Sequence, residues 1–211
     1  MLLPGLDTSS RTAASRSRVA RSRKAHSEAP APKPWLAVVL AVDTARRSGC
    51  AVLVSGRLAA SGEVDTLDHE QVARVVRFAV QRGEQRGLPV VMVLEKPWGG
   101  SVQVVAALGV ARERWQRAWR DAGQSRGRVV LVRPSTWRGP VLGREAVRAS
   151  RDEVRARELS VASAILGRAA SADQAAAVLI GRWAVHAAQV GRVIGERAKR
   201  ASKRAWRQRG G

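Results

Sequence analysis

The sequence predicts an α/β fold in which a mixed five-stranded sheet is flanked by helices. Between Trp35 and Arg57, two aliphatic runs flank a polar connection, which is typical of an antiparallel hairpin of buried strands. The apolar run PVVMVL at 89–94 is typical of a strand covered on both faces, and it lies between two helical patterns. A meander followed by strands with helical crossovers predicts one sheet with antiparallel and parallel pairs.

The elements are expected in the order βββαβαβαα. The first three strands are predicted at 36–42, 50–54 and 58–63. Valines and alanines at helical spacing between positions 72 and 80 predict the first helix. Its cap is expected at Thr66 or Asp68, and Gly83 and Gly87 are its expected stops.

The second half of the predicted fold contains three more helices and the fifth strand. The second helix is predicted to have an apolar face and an opposite basic face. The apolar face carries Val104, Leu108, Ala111, Trp115 and Ala118. The basic face carries Arg112, Arg114, Arg117 and Arg120. The fifth strand is predicted at 128–132, directly before Pro134. A long Arg/Glu-rich helix is predicted over roughly 144–166, and the last helix is expected to begin at Ser171.

The chain is strongly basic. Its 211 residues include 38 lysines and arginines against 17 aspartates and glutamates, which gives a net charge of +21. Such a surface repels itself unless an anion is bound, so a polyanionic partner is expected. The excess of arginine over lysine suits bidentate phosphate contacts, although a GC-rich genome would produce the same bias.

The length allows one folded domain with two tails, and the domain is predicted over 35–191. Residues 1–34 lack hydrophobic periodicity and end in EAPAPKP, which predicts a basic disordered tail. Residues 192–211 carry eight basic residues against Glu196 and are predicted to be a second basic tail, which is expected either to form a basic helix or to be disordered. Both tails are interpreted either as sequence-independent phosphate binders or as solvated tails that aid solubility.

The cysteine content and the hydropathy exclude two classes of protein. The single cysteine, Cys50, excludes an intrachain disulfide framework and a Cys-based zinc site. No run approaches the ~18 apolar residues of a membrane span, and the N-terminus has no apolar signal core. The chain is therefore expected to be soluble and cytoplasmic, without a membrane partner.

Three carboxylates stand apart from the arginine-rich helix faces and loops. Asp43 ends the first strand, Glu95 ends the fourth, and Asp173 lies in the first turn of the last helix. If strands one and four are neighbours, Asp43 and Glu95 emerge side by side at one edge of the sheet. Three carboxylates within a few ångström repel each other strongly, so such a cluster implies divalent cations.

Simpler interpretations exist for two of the three acids. Asp43 would also suit the start of a turn. Asp173, beside Ser171, would also suit a helix N-terminus, where the helix dipole favours an acid. Glu95, which follows the apolar run VVMVL, has no comparable structural role.

Together these residues resemble the motifs of RuvC-type Holliday junction resolvases, which have the RNase H-like fold. The similar segments are Asp43 with Ser48 and Gly49, EKPW at 95–98, LGVAR at 108–112, the proline-containing loop at 134–143 and ADQA at 172–175. The resemblance covers about residues 36–188, which is nearly the whole predicted domain. The long basic extensions favour a phage-type member.

The resemblance implies a Mg²⁺-dependent endonuclease that cleaves branched DNA, acts as a homodimer on a four-way junction and associates with the nucleoid. It implies that Asp43, Glu95 and Asp173 are catalytic and hold two Mg²⁺ ions about 4 Å apart, which Mn²⁺ can replace. The residues expected to contact DNA are Trp98, Arg112, Arg138 and Arg151. Trp98 would stack on a base near the branch point, or alternatively pack on the domain as a surface-loop tryptophan.

The chain departs from the family at Ala170, where another acid or a histidine is common three residues before the last aspartate. Arg138 and Arg151 stand where the family usually has lysines. The substitution at position 170 and the basic tails motivate a second hypothesis, a non-catalytic basic DNA-binding protein on the same scaffold. A third hypothesis is an RNase H-like or transposase-like nuclease with another nucleic-acid substrate.

Overall fold

The computed structural model describes residues 35–96 and 101–195, and it contains the predicted mixed sheet flanked by helices. The strands are β1 (Val38–Asp43), β2 (Arg47–Val54), β3 (Arg57–Asp65), β4 (Val90–Glu95) and β5 (Val129–Val132). Their order in the sheet is β3-β2-β1-β4-β5. Strands β1 to β3 form an antiparallel meander, and β4 is parallel to both β1 and β5. The prediction that the first and fourth strands are neighbours is confirmed.

The helices cover both faces of this sheet. They are α1 (His69–Arg86), α2 (Val102–Asp121), α3 (Pro134–Leu142), α4 (Arg151–Leu166) and α5 (Ala172–Ala184). Alternate residues of β1 enter two separate cores: Val38 and Leu40 pack with α1 and α2, whereas Val39 packs with α3 and α5. Burial on both faces explains why β1 and β4 read as continuous apolar runs.

Two of the expected boundaries of α1, Asp68 and Gly87, are confirmed by its caps, whereas the expected stop at Gly83 was wrong because Gly83 lies inside the helix. The Asp68 side chain accepts a hydrogen bond from the Gln71 amide at 3.0 Å, which identifies Asp68 as the N-cap. Gly87 ends the helix with a φ of 63°, the left-handed conformation that glycine adopts without steric cost.

The long helix predicted over roughly 144–166 was wrong at its start. Residues 144–147 form a short 3₁₀ turn, and α4 begins only after Ser150. Ser150 and Glu153 form a capping box, with the Glu153 amide donating to the Ser150 hydroxyl and the Ser150 amide donating to the Glu153 carboxylate. The segment predicted as a loop at 134–143 is instead mostly helix α3, which begins with Pro134 at a position that proline favours.

The predicted apolar face of α2 is buried only in its second half. Ala111, Trp115 and Ala118 are in the core, as predicted. Val104 is 48% exposed and Leu108 is half-buried, because the first half of the helix does not join the core that α1 and the sheet form around Trp115. This leaves an apolar surface at the start of α2.

Several predictions concern residues that the structure does not describe. The N-terminal tail at 1–34, the segment 196–211 and Trp98 lie outside the described residues. The first four residues of the predicted C-terminal tail are described, and they belong to a helical segment at 188–195. Across 35–96 and 101–195, none of the helices combines the length and hydropathy required to cross a bilayer.

Candidate active site

Asp43 and Glu95 lie side by side at the ends of β1 and β4. The parallel register pairs Val42 with Leu94, which places the next residue of each strand together at the sheet edge. The Thr44 hydroxyl donates a hydrogen bond of 2.8 Å to the Glu95 carbonyl oxygen and so ties the two strand ends to each other. The two carboxyl groups are close enough for Glu95 to raise the pKa of Asp43 through its charge and a side-chain hydrogen bond.

Burial and neighbouring charge act together on Asp43. Removal of Asp43 from water is the largest cause that raises the pKa of its carboxyl well above the usual range, and the charge and hydrogen bond of Glu95 add to it. Asp173 and Glu158 contribute in the same direction. Glu95 is only 8% exposed, so bulk water solvates its carboxylate poorly. A metal cation beside Asp43 and Glu95 would relieve the repulsion between their charges.

Asp173 is held at the start of α5 by contacts with the opposite edge of the meander. The Ser171 side chain caps the helix by accepting from the Gln174 amide, and its hydroxyl donates to the Glu63 carboxylate on β3. Burial, followed by the charge of Glu63, raises the pKa of Asp173, while Arg155 and Arg47 oppose the shift. A carboxyl whose pKa is raised by burial and by a neighbouring carboxylate is a candidate functional group.

Gly49 explains how α5 comes so close to the sheet. A β-carbon at position 49 would lie 1.8 Å from the Asp173 carbonyl oxygen and 2.8 Å from the Gln174 amide nitrogen. The neighbouring Ser48 is completely buried and accepts a hydrogen bond of 3.2 Å from the Trp115 indole. The Ser48-Gly49 pair therefore lets a helix start pack directly on β2.

The three predicted acids line one cavity of about 840 Å³. Two of the arginines predicted to contact DNA, Arg138 and Arg151, line the same cavity. Arg112 lies on α2 and is not among the lining residues, so its role in DNA binding stays a prediction. The cavity also contains two cations that the sequence did not single out, Lys96 and Arg155.

The sequence analysis missed two side chains that contact the predicted site. Trp137 on α3 is fully buried, and its indole N–H donates to Glu95 Oε1 at 3.3 Å. Glu158 on α4 lines the cavity, and its Oε1 accepts from Arg138 Nε at 2.7 Å. A signal for Glu158 was present, since it occupies the middle of a buried i, i+4, i+8 series, Val154, Glu158 and Ala162. No sequence signal identified the contact of Trp137.

Ala170 contributes no ligand to the cavity. Its amide donates to the Ser163 hydroxyl at 3.1 Å, and its methyl group packs against the apolar core beneath α5. Glu158 is instead the fourth carboxylate that lines the cavity, and it comes from a different helix. Burial raises the pKa of Glu158 and Arg138 opposes this effect.

The carboxylates that line the cavity suit a Mg²⁺ ion that keeps several of its water ligands. Within the described ranges, no group of three Asp, Glu, His or Cys side chains is already gathered around a single ion position. The Asp43–Glu95 pair nevertheless offers adjacent carboxylate oxygens whose mutual repulsion a cation would relieve. Mg²⁺ is commonly held by one or two carboxylates, with waters and substrate phosphates completing its octahedron. The residues therefore fit such an ion.

The mixed sheet, an antiparallel meander extended by two parallel strands and flanked by helices, has the arrangement of the RNase H-like α/β fold. The chain is similar to RuvC of T. thermophilus in complex with a Holliday junction substrate, with a TM-score of 0.52 and 19% identity over 74% of this chain and 96% of that chain. It is also similar to another RuvC structure from Thermus thermophilus, with a TM-score of 0.51 and 20% identity over 73% and 96% of the two chains. No protein-family model and no curated protein matches the sequence. The resemblance to RuvC is thus confirmed as a similarity of fold.

Proposed function

We propose that this chain is a metal-dependent, structure-selective endodeoxyribonuclease that cleaves phosphodiester bonds in branched DNA. The observation that carries the proposal is the convergence of Asp43, Glu95 and Asp173 on one cavity, from positions far apart in the sequence. The similarity of fold to a RuvC bound to a Holliday junction supports a four-way junction as the substrate. A DNA substrate would favour a nucleoid-associated location.

In this proposal, the chain's carboxylates hold the metal and its basic side chains hold the DNA. Asp43 and Glu95 would be the principal ligands, and Asp173 would complete the site from the helix start. Mg²⁺, when bound, would supply an attacking hydroxide and stabilise the leaving oxygen of the phosphodiester. Mn²⁺ is expected to support the same chemistry, because it accepts the same oxygen ligands.

The basic residues of the cavity give the DNA backbone a place to bind. Arg138, Arg151 and Arg155 lie on the same cavity as the acids and would contact phosphates on either side of the cleaved bond. The net charge of +21 adds a long-range attraction that does not depend on sequence. Binding should therefore weaken steeply as salt is added.

The first test compares substrates in Mg²⁺. We expect the full-length protein to nick a synthetic four-way junction at least about tenfold faster than a linear duplex or an RNA–DNA hybrid, because its fold is similar to that of a RuvC solved with a Holliday junction substrate. Faster cleavage of the hybrid or of the linear duplex would contradict the junction assignment and favour a nuclease with another substrate.

Ala170 favours a second candidate function, a DNA-binding protein without catalysis on this scaffold. The position that often carries an acid in the resembled family here packs against the core instead. This candidate predicts strong, salt-sensitive binding of the junction with no cleavage in Mg²⁺ or Mn²⁺. The same nicking assay distinguishes the two candidates.

We further propose that the protein acts as a homodimer through the exposed start of α2. Within the first turn of α2, Val102 is 86% exposed, Val104 48% and Val105 43%, and Val104 also lines the cavity. A four-way junction has two symmetric strands to cut, so a two-fold symmetric dimer would place one cavity at each.

Val105→Glu is expected to convert the dimer to a monomer, because it places a charge in the centre of this apolar surface. The measurement is the molar mass by light scattering during size exclusion. Leu67→Glu is the matched control, since Leu67 is 53% exposed in the turn before α1 and should leave the mass unchanged. A wild-type protein that is monomeric, or a Val105→Glu protein that remains dimeric, contradicts the proposed interface.

A further inference from the structure

Arg138 is held in one orientation by two neighbours at the cavity wall. Its Nε lies 2.7 Å from Glu158 Oε1, and its guanidinium carbon lies 5.3 Å from the centroid of the Trp137 ring. The Trp137 ring cannot turn away easily, because it is fully buried and its N–H donates to Glu95. One edge and one face of the guanidinium are therefore fixed.

The other edge of the Arg138 guanidinium faces no protein partner in the described part of the chain. A guanidinium has five N–H donors in a planar fork, and Glu158 engages only the one on Nε. The Arg138 side chain is 36% exposed, and it lines the cavity that contains Asp43 and Glu95. The two terminal nitrogens match the spacing of two oxygens on one phosphate.

We propose that Glu158 is a positioning residue that orients Arg138 toward a phosphate of the DNA substrate. This inference rests on the proposed nuclease function and extends it to a residue on α4. Glu158 stands between Val154 and Ala162 in a buried series, where an apolar side chain would pack without the cost of desolvating a charge. The cost of burying the Glu158 carboxylate is explained if this carboxylate fixes the plane of the Arg138 guanidinium.

The same argument explains why arginine and an acid occur together here. A lysine ammonium is a compact charge with rotating donors and needs no partner to set its plane. An arginine reads a phosphate with two donors only when its plane is correct, so it gains from a fixed carboxylate on the opposite edge. Arg138 and Glu158 are thus expected to act as one unit.

The test is a double-mutant cycle with Glu158→Met, Arg138→Met and the double variant, measured as single-turnover nicking of a four-way junction at saturating protein. We expect Glu158→Met to slow nicking by about 10- to 100-fold with little change in junction affinity, because a misoriented contact affects the rate more than binding. In the Arg138→Met background the same change should slow nicking no further. Glu158→Gln keeps an acceptor for Arg138 Nε and should retain most of the rate.

Two further measurements separate positioning from other roles. The Arg138 Nε–H resonance in nitrogen-15 NMR, assigned by its loss in Arg138→Met, should be protected from exchange in the wild type and in Glu158→Gln and exchange rapidly in Glu158→Met. Glu113→Met is the matched control, because Glu113 forms an equally short 2.7 Å pair with Arg120 on the exposed side of α2. It should change neither the resonance nor the rate.

Several results would overturn the proposal. Equal slowing by Glu158→Met with and without Arg138 would show that Glu158 acts independently of it, and a raised Mg²⁺ requirement would make it a metal ligand. A lower melting temperature of Glu158→Met with an unchanged nicking rate would make Glu158 a structural residue. If Glu158→Met does not fold, rapid exchange of the Arg138 Nε–H resonance in the wild type would show that Glu158 does not orient Arg138. If the wild type nicks no substrate, the proposed function fails, and the resonance still reports whether Glu158 orients Arg138.

Discussion

Asp43→Asn is expected to abolish nicking of a four-way junction in Mg²⁺, with a loss of at least about 10³-fold, while junction binding stays intact. Burial raises the pKa of Asp43, and so do the neighbouring carboxylates of Glu95, Asp173 and Glu158. An amide keeps the size of the side chain but supplies no negative oxygen to a metal. The measurements are the single-turnover nicking rate and the junction affinity without divalent metal.

A second readout of Asp43→Asn does not depend on activity. Because the folded state raises the pKa of Asp43, its ionised form destabilises the metal-free protein as the pH rises above the unfolded value. The variant should therefore melt at a higher temperature than the wild type in EDTA at neutral pH. Mg²⁺ should raise the melting temperature of the wild type and leave that of the variant unchanged.

Asp121→Asn is the matched control for both measurements, because the Asp121 side chain is 58% exposed near the end of α2 and makes only a 3.9 Å pair with Arg117. It should behave as the wild type. Nicking by Asp43→Asn at the wild-type rate would remove Asp43 from the chemistry, and with it the proposed metal site.

Gly49→Ala is expected to reduce nicking by about 100-fold and to destabilise the protein by about 1–3 kcal/mol. The added β-carbon would lie 1.8 Å from the Asp173 carbonyl oxygen, so either β2 or the start of α5 must move. Movement of either segment is expected to displace Asp173 from the Asp43–Glu95 pair. The measurements are the nicking rate and the free energy of unfolding in urea.

The chain offers a close control in Gly62, which lies on the neighbouring strand β3 with nothing within 4 Å of an added β-carbon. Gly62→Ala should leave the nicking rate unchanged and alter stability by less than about 1 kcal/mol. If Gly49→Ala nicks as fast as Gly62→Ala, the close approach of α5 does not matter for the site.

The strands, and the position of each acid at a strand end or a helix start, were predictable because they depend on short-range pattern. Continuous apolar runs predicted β1 and β4, and the acid directly after each run was therefore expected at the sheet edge. The start of α5 was also predictable, since Ser171 is a strong N-cap. These features depend on residues that are close in the sequence, so they can be predicted from it.

The missed features depend on contacts between distant segments. The Arg138–Glu158 pair joins α3 to α4, and the Trp137–Glu95 hydrogen bond joins α3 to β4. Helical periodicity predicted that Val104 would face the core. It could not predict that the first half of α2 extends beyond the part of the helix that packs on the sheet. Such outcomes are decided by tertiary packing, which local pattern does not encode.

The parallel pairing of β1 with β4 has a consequence for synthesis of the protein. Asp43 and Glu95 become neighbours only after the strand at 90–95 has inserted beside β1, and Asp173 joins them only when α5 packs against Gly49. A nascent chain on the ribosome therefore holds its acids apart until most of its length has emerged. The cavity that the three acids line is therefore complete only after translation has passed residue 184, the last of α5.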